Sequence, residues 1–157
     1  FTIASTSGRL WDDERKEAIE LGNLIHFALS KITYAKDVTH VVESLQLAGH
    51  FEKDASEEVK QKLMDVVTHP DLNTYFSEDY QIINEREILT VKGASLRPDR
   101  IAILGREANI IDYKTGKPST SHKEQITQYA DVLKEMDFTI KNVIIVYIDQ
   151  NINPVFV

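Results

Sequence analysis

The sequence predicts one α/β or α+β domain in which a helical N-terminal block precedes a mixed sheet flanked by helices. Two observations lead to this prediction. In the first half, apolar residues recur at three- and four-residue steps, which is typical of amphipathic helices. In the second half the period changes to short apolar runs, in the order strand, strand, strand, helix, strand. A helical block followed by this order favours a mixed sheet.

The helical half divides at its turn residues. We predict helices over residues 12–36, 37–47 and 56–68, with the second ending near Gly49 and a short helix following Pro70. In the second half of the chain we predict strands over 81–91, 96–104 (interrupted by Pro98), 108–113 and 143–148, and a last strand over 154–157. A turn at 116–118 precedes a helix over 121–136.

Composition narrows the classes of function. The chain has no cysteine, which excludes disulfides, zinc–thiolate sites, iron–sulfur clusters and cysteine nucleophiles. No run approaches the roughly 18 apolar residues of a membrane helix, and there is no signal peptide pattern, so we expect no membrane and a cytoplasmic location. The net charge of −7 argues against broad attraction to nucleic acid, although a local basic groove or a metal-binding carboxylate cluster is compatible with it. Because the chain starts at Phe1 and ends on an apolar run, we expect a domain cut from a longer polypeptide.

The stretch NIIDYKTGKP, residues 109–118, carries an acid and a base at the end of an apolar strand. In a strand, Asp112 and Lys114 share one face. A carboxylate that holds a divalent cation beside an ammonium that positions water can serve metal-assisted hydrolysis. The alternative is a strand that leaves the core with a solvated charged end.

A second carboxylate precedes this strand in SLRPDRIAIL. If the two strands are adjacent, Asp99 and Asp112 meet at one end of the sheet, where their repulsion would be relieved by a bound cation. The alternative is a surface ion pair of Asp99 with Arg97 or Arg100.

Two helices carry further candidate residues. In ELGNLIHFALSKI, Gly22 and His26 share a helix face, and the glycine leaves room beside the imidazole, a metal ligand in its neutral form. A structural or partly exposed histidine is the alternative. In HKEQITQYADVL, Gln125 and Tyr129 share a face and can contact a phosphate or a nucleobase, unless Tyr129 merely packs on the sheet.

Taken together and in this order, these motifs resemble the PD-(D/E)XK nuclease superfamily, and most of all the C-terminal nuclease domain of RecB/AddA-type helicase–nucleases (exonuclease V). The resemblance runs from about residue 20 to 148 through GNLIH, NEREIL, GASLRPDRI, DYKTG and QITQY. It departs from the family in three ways. The four cysteines that hold an iron–sulfur cluster in many AddA-type relatives are absent, so the chain resembles the cluster-free branch. The spacing from Gly93 to Asp99 is longer than the compact G-x-x-D form, and no Walker A motif is present.

The resemblance implies a restriction-endonuclease-like fold over residues 1–157 and assigns roles to individual residues. The metal ligands would be His26, Asp99, Asp112 and the carbonyl of Tyr113, with Glu87 as an accessory residue. Lys114 would be catalytic together with Asp99 and Asp112. The DNA contacts would come from Gln125, Tyr129, Arg97 and Arg100.

The implied activity is that of a Mg²⁺-dependent deoxyribonuclease, an exonuclease domain of recombinational DNA repair, with Mn²⁺ also acceptable to a histidine-containing site. Its implied partners are single-stranded DNA ends fed by a helicase, a helicase portion of the same chain and a partner subunit. Two alternatives stay open. One is an inactive nuclease-like module that binds DNA or a partner, and the other is a stand-alone or CRISPR-associated nuclease of the same superfamily.

Overall fold

The N-terminal half is helical, as the apolar periodicity predicts. The computed structural model describes the backbone of residues 2–157 and the side chains from Asp13 onward. Three helices form the block: α1 (Thr2–Ser30), α2 (Val38–Leu47) and α3 (Ser56–Val67). The first ends six residues before the predicted boundary, because the chain turns at 31–34 and Arg100 donates hydrogen bonds to the carbonyls of Ile32 and Thr33.

The second half forms a five-stranded mixed sheet, which confirms the predicted fold class. Its strands are β1 (Gln81–Asn84), β4 (Arg100–Leu104), β5 (Glu107–Thr115), β6 (Thr139–Ile148) and β7 (Ile152–Phe156), in the spatial order β1-β4-β5-β6-β7. A helix, α4 (Thr120–Glu135), connects β5 to the parallel β6, and the other neighbours pair antiparallel. Beside the sheet, β2 (Ile88–Leu89) and β3 (Ser95–Leu96) form a small hairpin.

The predicted strand over 81–91 is wrong in its length. It breaks after Asn84, because Glu85 adopts a φ of 46°, which leaves the extended region. The predicted strand over 96–104 also divides, into β3 and β4, with Pro98 between them. Proline has no amide to donate to a neighbouring strand, so the ladder cannot run through it. The chain therefore leaves the sheet after Asn84 and re-enters it at Arg100.

The sheet separates two apolar layers. On one face, Ile111 and Tyr113 of β5 pack against the helical block, and on the other, Ile110 packs under α4. Asp112 shares the α4 face with Ile110 because strand side chains alternate. No helix in the part of the chain that the structure describes is long and apolar enough to cross a membrane.

Arg100 ties the sheet to the helical block from a fully buried position. Its guanidinium donates hydrogen bonds to the carbonyls of Ile32, Thr33 and Tyr75 and lies 3.9 Å above the ring of Phe76. A buried charge is tolerated only when its donors find partners, and here backbone carbonyls supply most of them. The expectation that Arg100 contacts DNA does not agree with this position, because no part of the side chain reaches the surface.

Candidate active site

The antiparallel pairing of β1 with β4 brings two acidic residues to the same end of the sheet. Asn84 faces Arg100 in the register, so Glu85 and Asp99 follow as the next pair, and the amide of Glu85 donates a 3.0 Å hydrogen bond to the carbonyl of Asp99. The Asp99 side chain is only 12% exposed, and its Oδ2 accepts a 2.8 Å hydrogen bond from the amide of Tyr113. This contact fixes Asp99 beside the end of β5.

His26 reaches this pair of carboxylates from α1. Its Nε2 lies 3.1 Å from Asp99 Oδ2, and its Nδ1 lies 3.6 Å from Glu85 Oε1. The hydrogen bond to Asp99 raises the pKa of His26 above its ordinary value, although partial burial works in the opposite direction. The ring of Tyr113 meets the imidazole edge-on, at 6.2 Å between ring centroids, and so limits its rotation.

Three side chains form a cluster that could hold a metal ion. One ligand atom each from His26, Glu85 and Asp99 lies within 4.8 Å of the others. Imidazole nitrogen with carboxylate oxygens is a donor set that suits divalent ions such as Mn²⁺ and, through the oxygens, Mg²⁺. Asp112 is buried beside this cluster, and its Oδ2 is paired with the Lys114 ammonium at 2.9 Å.

Asp112 and Asp99 have opposite pKa shifts. Burial, followed by the neighbouring Asp99 carboxylate, raises the pKa of Asp112 to about 7. Burial also opposes ionisation of Asp99, but hydrogen bonds from His26, from the Asp112 carboxyl and from the amide of Tyr113 outweigh it and lower the pKa of Asp99. The two carboxylates therefore titrate as a pair in which Asp99 ionises first, and a divalent cation beside them would favour ionisation of both.

Lys114 lies at the open end of this arrangement. Its Nζ is 2.9 Å from Asp112 Oδ2 as an ion pair and donates a 2.7 Å hydrogen bond to Oε1 of Gln125. The side chain is 23% exposed, so it reaches both the buried carboxylate and solvent. The alternation of strand side chains predicts that Asp112 and Lys114 share a face of β5. The structure confirms this, since the two side chains form an ion pair.

Tyr129 lies one turn after Gln125 on α4 and is buried against the sheet. Burial raises the pKa of its phenol to about 12, and the Asp112 and Asp99 carboxylates add to this shift. The phenol is therefore protonated at neutral pH and can act as a hydrogen-bond donor beside the carboxylates.

The acidic accessory residue differs from the predicted one. Glu87 is exposed and hydrogen-bonded to the hydroxyl of Ser95 at the hairpin, whereas Glu85 lies beside His26 and Asp99. Both glutamates stand in the same segment, NEREIL, and the sequence gives no means of choosing between them. The turn at Glu85 decides the matter, because its positive φ directs the chain away from the site before Glu87 is reached.

The two arginines that were predicted to contact DNA lie in different environments. Arg97 is 65% exposed beside the cluster, where its Nε donates to the carbonyl of Glu85 at 2.6 Å and its guanidinium pairs with the Glu85 carboxylate. Arg100 is buried away from it. Asp99 pairs with His26, so it does not form the surface ion pair with Arg97 or Arg100 that the sequence left open.

Gly22 provides space for the sheet. A Cβ built on Gly22 would lie 2.8 Å from Cγ2 of Thr115, closer than such atoms approach in proteins, so the close neighbour of this glycine is Thr115 of the sheet. The glycine lets α1 approach β5 closely one turn before His26, and this approach brings the imidazole to Asp99.

The family comparison agrees with this geometry. The model of the PD-(D/E)XK nuclease superfamily matches residues 4–152 of the chain. No curated protein matches the chain at a significant level. Because the matched residues span nearly the whole sequence and include His26, Glu85, Asp99, Asp112 and Lys114, this chain belongs to the PD-(D/E)XK nuclease superfamily.

Proposed function

We propose that this domain is a metal-dependent nuclease that hydrolyses phosphodiester bonds in DNA. One observation carries the proposal: His26, Glu85 and Asp99 converge within 4.8 Å of one another, while Asp99 is fixed to the strand that carries Asp112 and Lys114. Membership of the superfamily supports nuclease activity in general. The roles that we propose for individual residues rest on the geometry of this cluster.

The metal ligands would be His26, Asp99 and Asp112 together with the backbone carbonyl of Tyr113, and Glu85 would join them directly or through water. Mg²⁺ is the ion we propose, with Mn²⁺ favoured more strongly than usual because of the imidazole. When bound, the ion would make a coordinated water more acidic and offset negative charge on the phosphate.

Lys114 would orient the attacking water and stabilise charge on the phosphate oxygens. Its position supports this role, because Asp112 and Gln125 hold the ammonium from two sides while the side chain still reaches solvent. Gln125 would thus act by positioning Lys114. A lysine held in this way loses little conformational freedom when the substrate binds, which makes it more effective in the transition state.

Substrate contacts would come from the exposed guanidinium of Arg97 and the protonated phenol of Tyr129. Arg97 stands beside Glu85 at the edge of the cluster and can reach a phosphate that approaches it. Tyr129 of α4 is close enough to the Asp112 and Asp99 carboxylates for their charges to raise the pKa of its phenol, and this phenol can donate to a phosphate oxygen.

We further propose an exonuclease of the exonuclease V type, which acts on single-stranded ends fed by a helicase in recombinational repair. The support for this step is the motif order shared with RecB/AddA-type nuclease domains, together with the placement of its histidine on a long N-terminal helix. The same resemblance supports a single nuclease domain over residues 1–157, a helicase portion of the same chain, a partner subunit and a cytoplasmic location.

Cleavage assays on two substrates test the proposal. We expect the wild-type domain to degrade end-labelled linear single-stranded DNA with Mg²⁺ or Mn²⁺, and to leave a closed circle intact. EDTA and Lys114→Ala should each abolish degradation. Cleavage of the circle would reject the exonuclease. Absence both of cleavage and of calorimetrically detected Mn²⁺ binding would favour an inactive DNA- or partner-binding module.

A further inference from the structure

A second concave site lies next to Lys114 on the opposite face of the sheet. A cavity of about 560 Å³ opens between α1 and α3 at the carboxyl ends of the parallel strands β5 and β6, and Gly22, Thr115 and Gly116 line its inner end. Thr115 follows Lys114 in β5, so the two side chains point to opposite faces. Crevices at the carboxyl ends of parallel strands are common ligand sites in α/β proteins.

The lining of the cavity combines an apolar floor with a rim of both charges. Ile25 and Ile148 are buried in the floor, and Ile19 remains 54% exposed at the mouth. The charged rim residues are Arg15, Glu58, Lys62 and Asp149. Lys62 is held at the rim by hydrogen bonds from its Nζ to the carbonyls of Asp149 and Gln150, at 2.6 and 3.0 Å.

A nucleotide matches each part of this lining. The faces of a base are apolar enough to lie on aliphatic side chains, and its amino and carbonyl edges can bond to charged groups of either sign. A phosphate can bind the rim cations. The volume lies within the range of small-molecule sites and is large enough for one nucleotide.

We propose that this cavity binds one nucleotide of single-stranded DNA while a neighbouring phosphate of the same strand lies beside Lys114. The inference rests on the proposed nuclease function and adds a second site that would hold the same substrate strand. Continuity with the candidate active site supports it, because Gly22, which lines the cavity, lies about one helical turn before His26 on α1, and Thr115, which also lines it, follows Lys114 in β5. In this proposal the strand passes around the carboxyl end of β5 at Gly116 and so reaches both Lys114 and the cavity.

Ala18→Phe tests the proposal by filling the space. Ala18 lines the cavity and is exposed, so a larger side chain should not disturb the core. Ala48→Phe, at another exposed alanine outside the cavity, is the matched control. Binding of a short labelled oligothymidylate is measured by fluorescence anisotropy with Ca²⁺ in place of Mg²⁺. We expect Ala18→Phe to weaken binding about tenfold, as expected for the loss of one stacked base, and Ala48→Phe to leave it unchanged.

Oligonucleotides with an abasic unit at successive positions show whether a base occupies the cavity. At one position, loss of the base should weaken binding to the wild-type domain about tenfold. The same abasic oligonucleotide should bind Ala18→Phe no more weakly than the intact oligonucleotide does, because the base and the substitution compete for one cavity. Arg15→Gln, which adds no volume, should weaken binding several-fold and reduce its salt dependence. Affinity within about twofold of wild type for Ala18→Phe, or additive losses at every abasic position, would overturn the proposal.

A small substrate separates this proposal from the nuclease function. Bis(p-nitrophenyl) phosphate carries no base, so Ala18→Phe should hydrolyse it with Mn²⁺ at the wild-type rate. An equal loss on both substrates would reject the cavity as a nucleotide site. If the wild-type domain hydrolyses neither substrate, the nuclease function fails, while the anisotropy measurements still decide whether the cavity binds a nucleotide.

Discussion

Asp99 Oδ2 lies 3.1 Å from Nε2 of His26, and this contact joins the helical block to the sheet at the candidate active site. The same oxygen accepts the amide of Tyr113, so one carboxylate links α1, β4 and β5. The relative positions of the candidate ligands therefore depend on how α1 docks against the sheet. Substitutions that move α1 should affect metal binding even where they touch no ligand.

Lys114→Ala should lower the rate of DNA cleavage by about 10²–10³-fold, because one preorganised charge that stabilises the transition state is lost. Mn²⁺ affinity and the circular dichroism spectrum should stay at wild-type values, since the metal ligands remain. Lys117→Ala, at an exposed lysine three residues on, is the control and should stay active. Unfolding of Lys114→Ala, or equal losses in both variants, would contradict the catalytic role.

Glu85→Gln should weaken Mn²⁺ binding about 10- to 100-fold, because it removes a carboxylate charge beside His26 and Asp99. Glu87→Gln makes the same chemical change two residues away, on the exposed side of the hairpin, and should leave the affinity unchanged. Isothermal titration calorimetry on the two variants compares them directly. Equal losses would mean that the hairpin closes over the metal.

Asp112→Asn should stabilise the metal-free protein above about pH 7. In the folded protein the pKa of Asp112 is raised to about 7 from its ordinary value of 3.8, so the folded state holds the proton more tightly than the unfolded state. This contribution to stability is complete below about pH 4 and is lost as the pH rises through about 7.

Thermal melts in EDTA between about pH 4 and pH 8 test the direction of this pH dependence. The melting temperature of wild type should fall relative to that of Asp112→Asn as the pH rises. Added Mn²⁺ should restore the wild type much more than the variant, since a ligand that binds the folded state stabilises it. A difference in melting temperature that does not change with pH would show that Asp112 is ionised throughout.

Arg100→Met should destabilise the fold by about 3 kcal/mol, because the carbonyls of Thr33 and Tyr75 lose their buried donors and that of Ile32 keeps only the side-chain amide of Asn84. Arg97→Met, at a residue 65% exposed, should change the free energy of unfolding by less than about 0.5 kcal/mol. Urea denaturation measures both. DNA affinity should respond in the opposite way, because we expect Arg97→Met to reduce it and Arg100→Met to leave it unchanged. A large loss of stability in Arg97→Met would contradict the separate roles of the two arginines.

Gly22→Ala should cost about 1–3 kcal/mol, because the added Cβ overlaps Cγ2 of Thr115. Thr115→Ser removes that methyl group and should recover part of the loss. A double-mutant cycle by urea denaturation measures the coupling between the two residues, and Mn²⁺ affinity should fall and recover in parallel. Additive effects would mean that α1 does not rest on Thr115.

The sequence alone determined the relations that depend on local periodicity. A strand alternates its side chains, so Asp112 and Lys114 had to share a face, and a helix turn placed Gln125 beside Tyr129. The apolar patterns likewise predicted the helical block and the mixed sheet, because each reflects burial of one face of a regular element. These relations involve residues at most four positions apart and need no knowledge of the rest of the chain.

Tertiary structure alone decided which of several similar residues enter the site. Glu85 rather than Glu87 lies beside His26, since a positive φ turns the chain between them. Arg100 is buried while Arg97 is exposed, although both flank Asp99 in sequence. The environment of Arg100 is set by the carbonyls of the turn that follows α1, which lies more than sixty residues earlier in the chain. A charge near a ligand in sequence has no fixed burial until such distant segments pack against it, and the pattern of residues cannot record that packing.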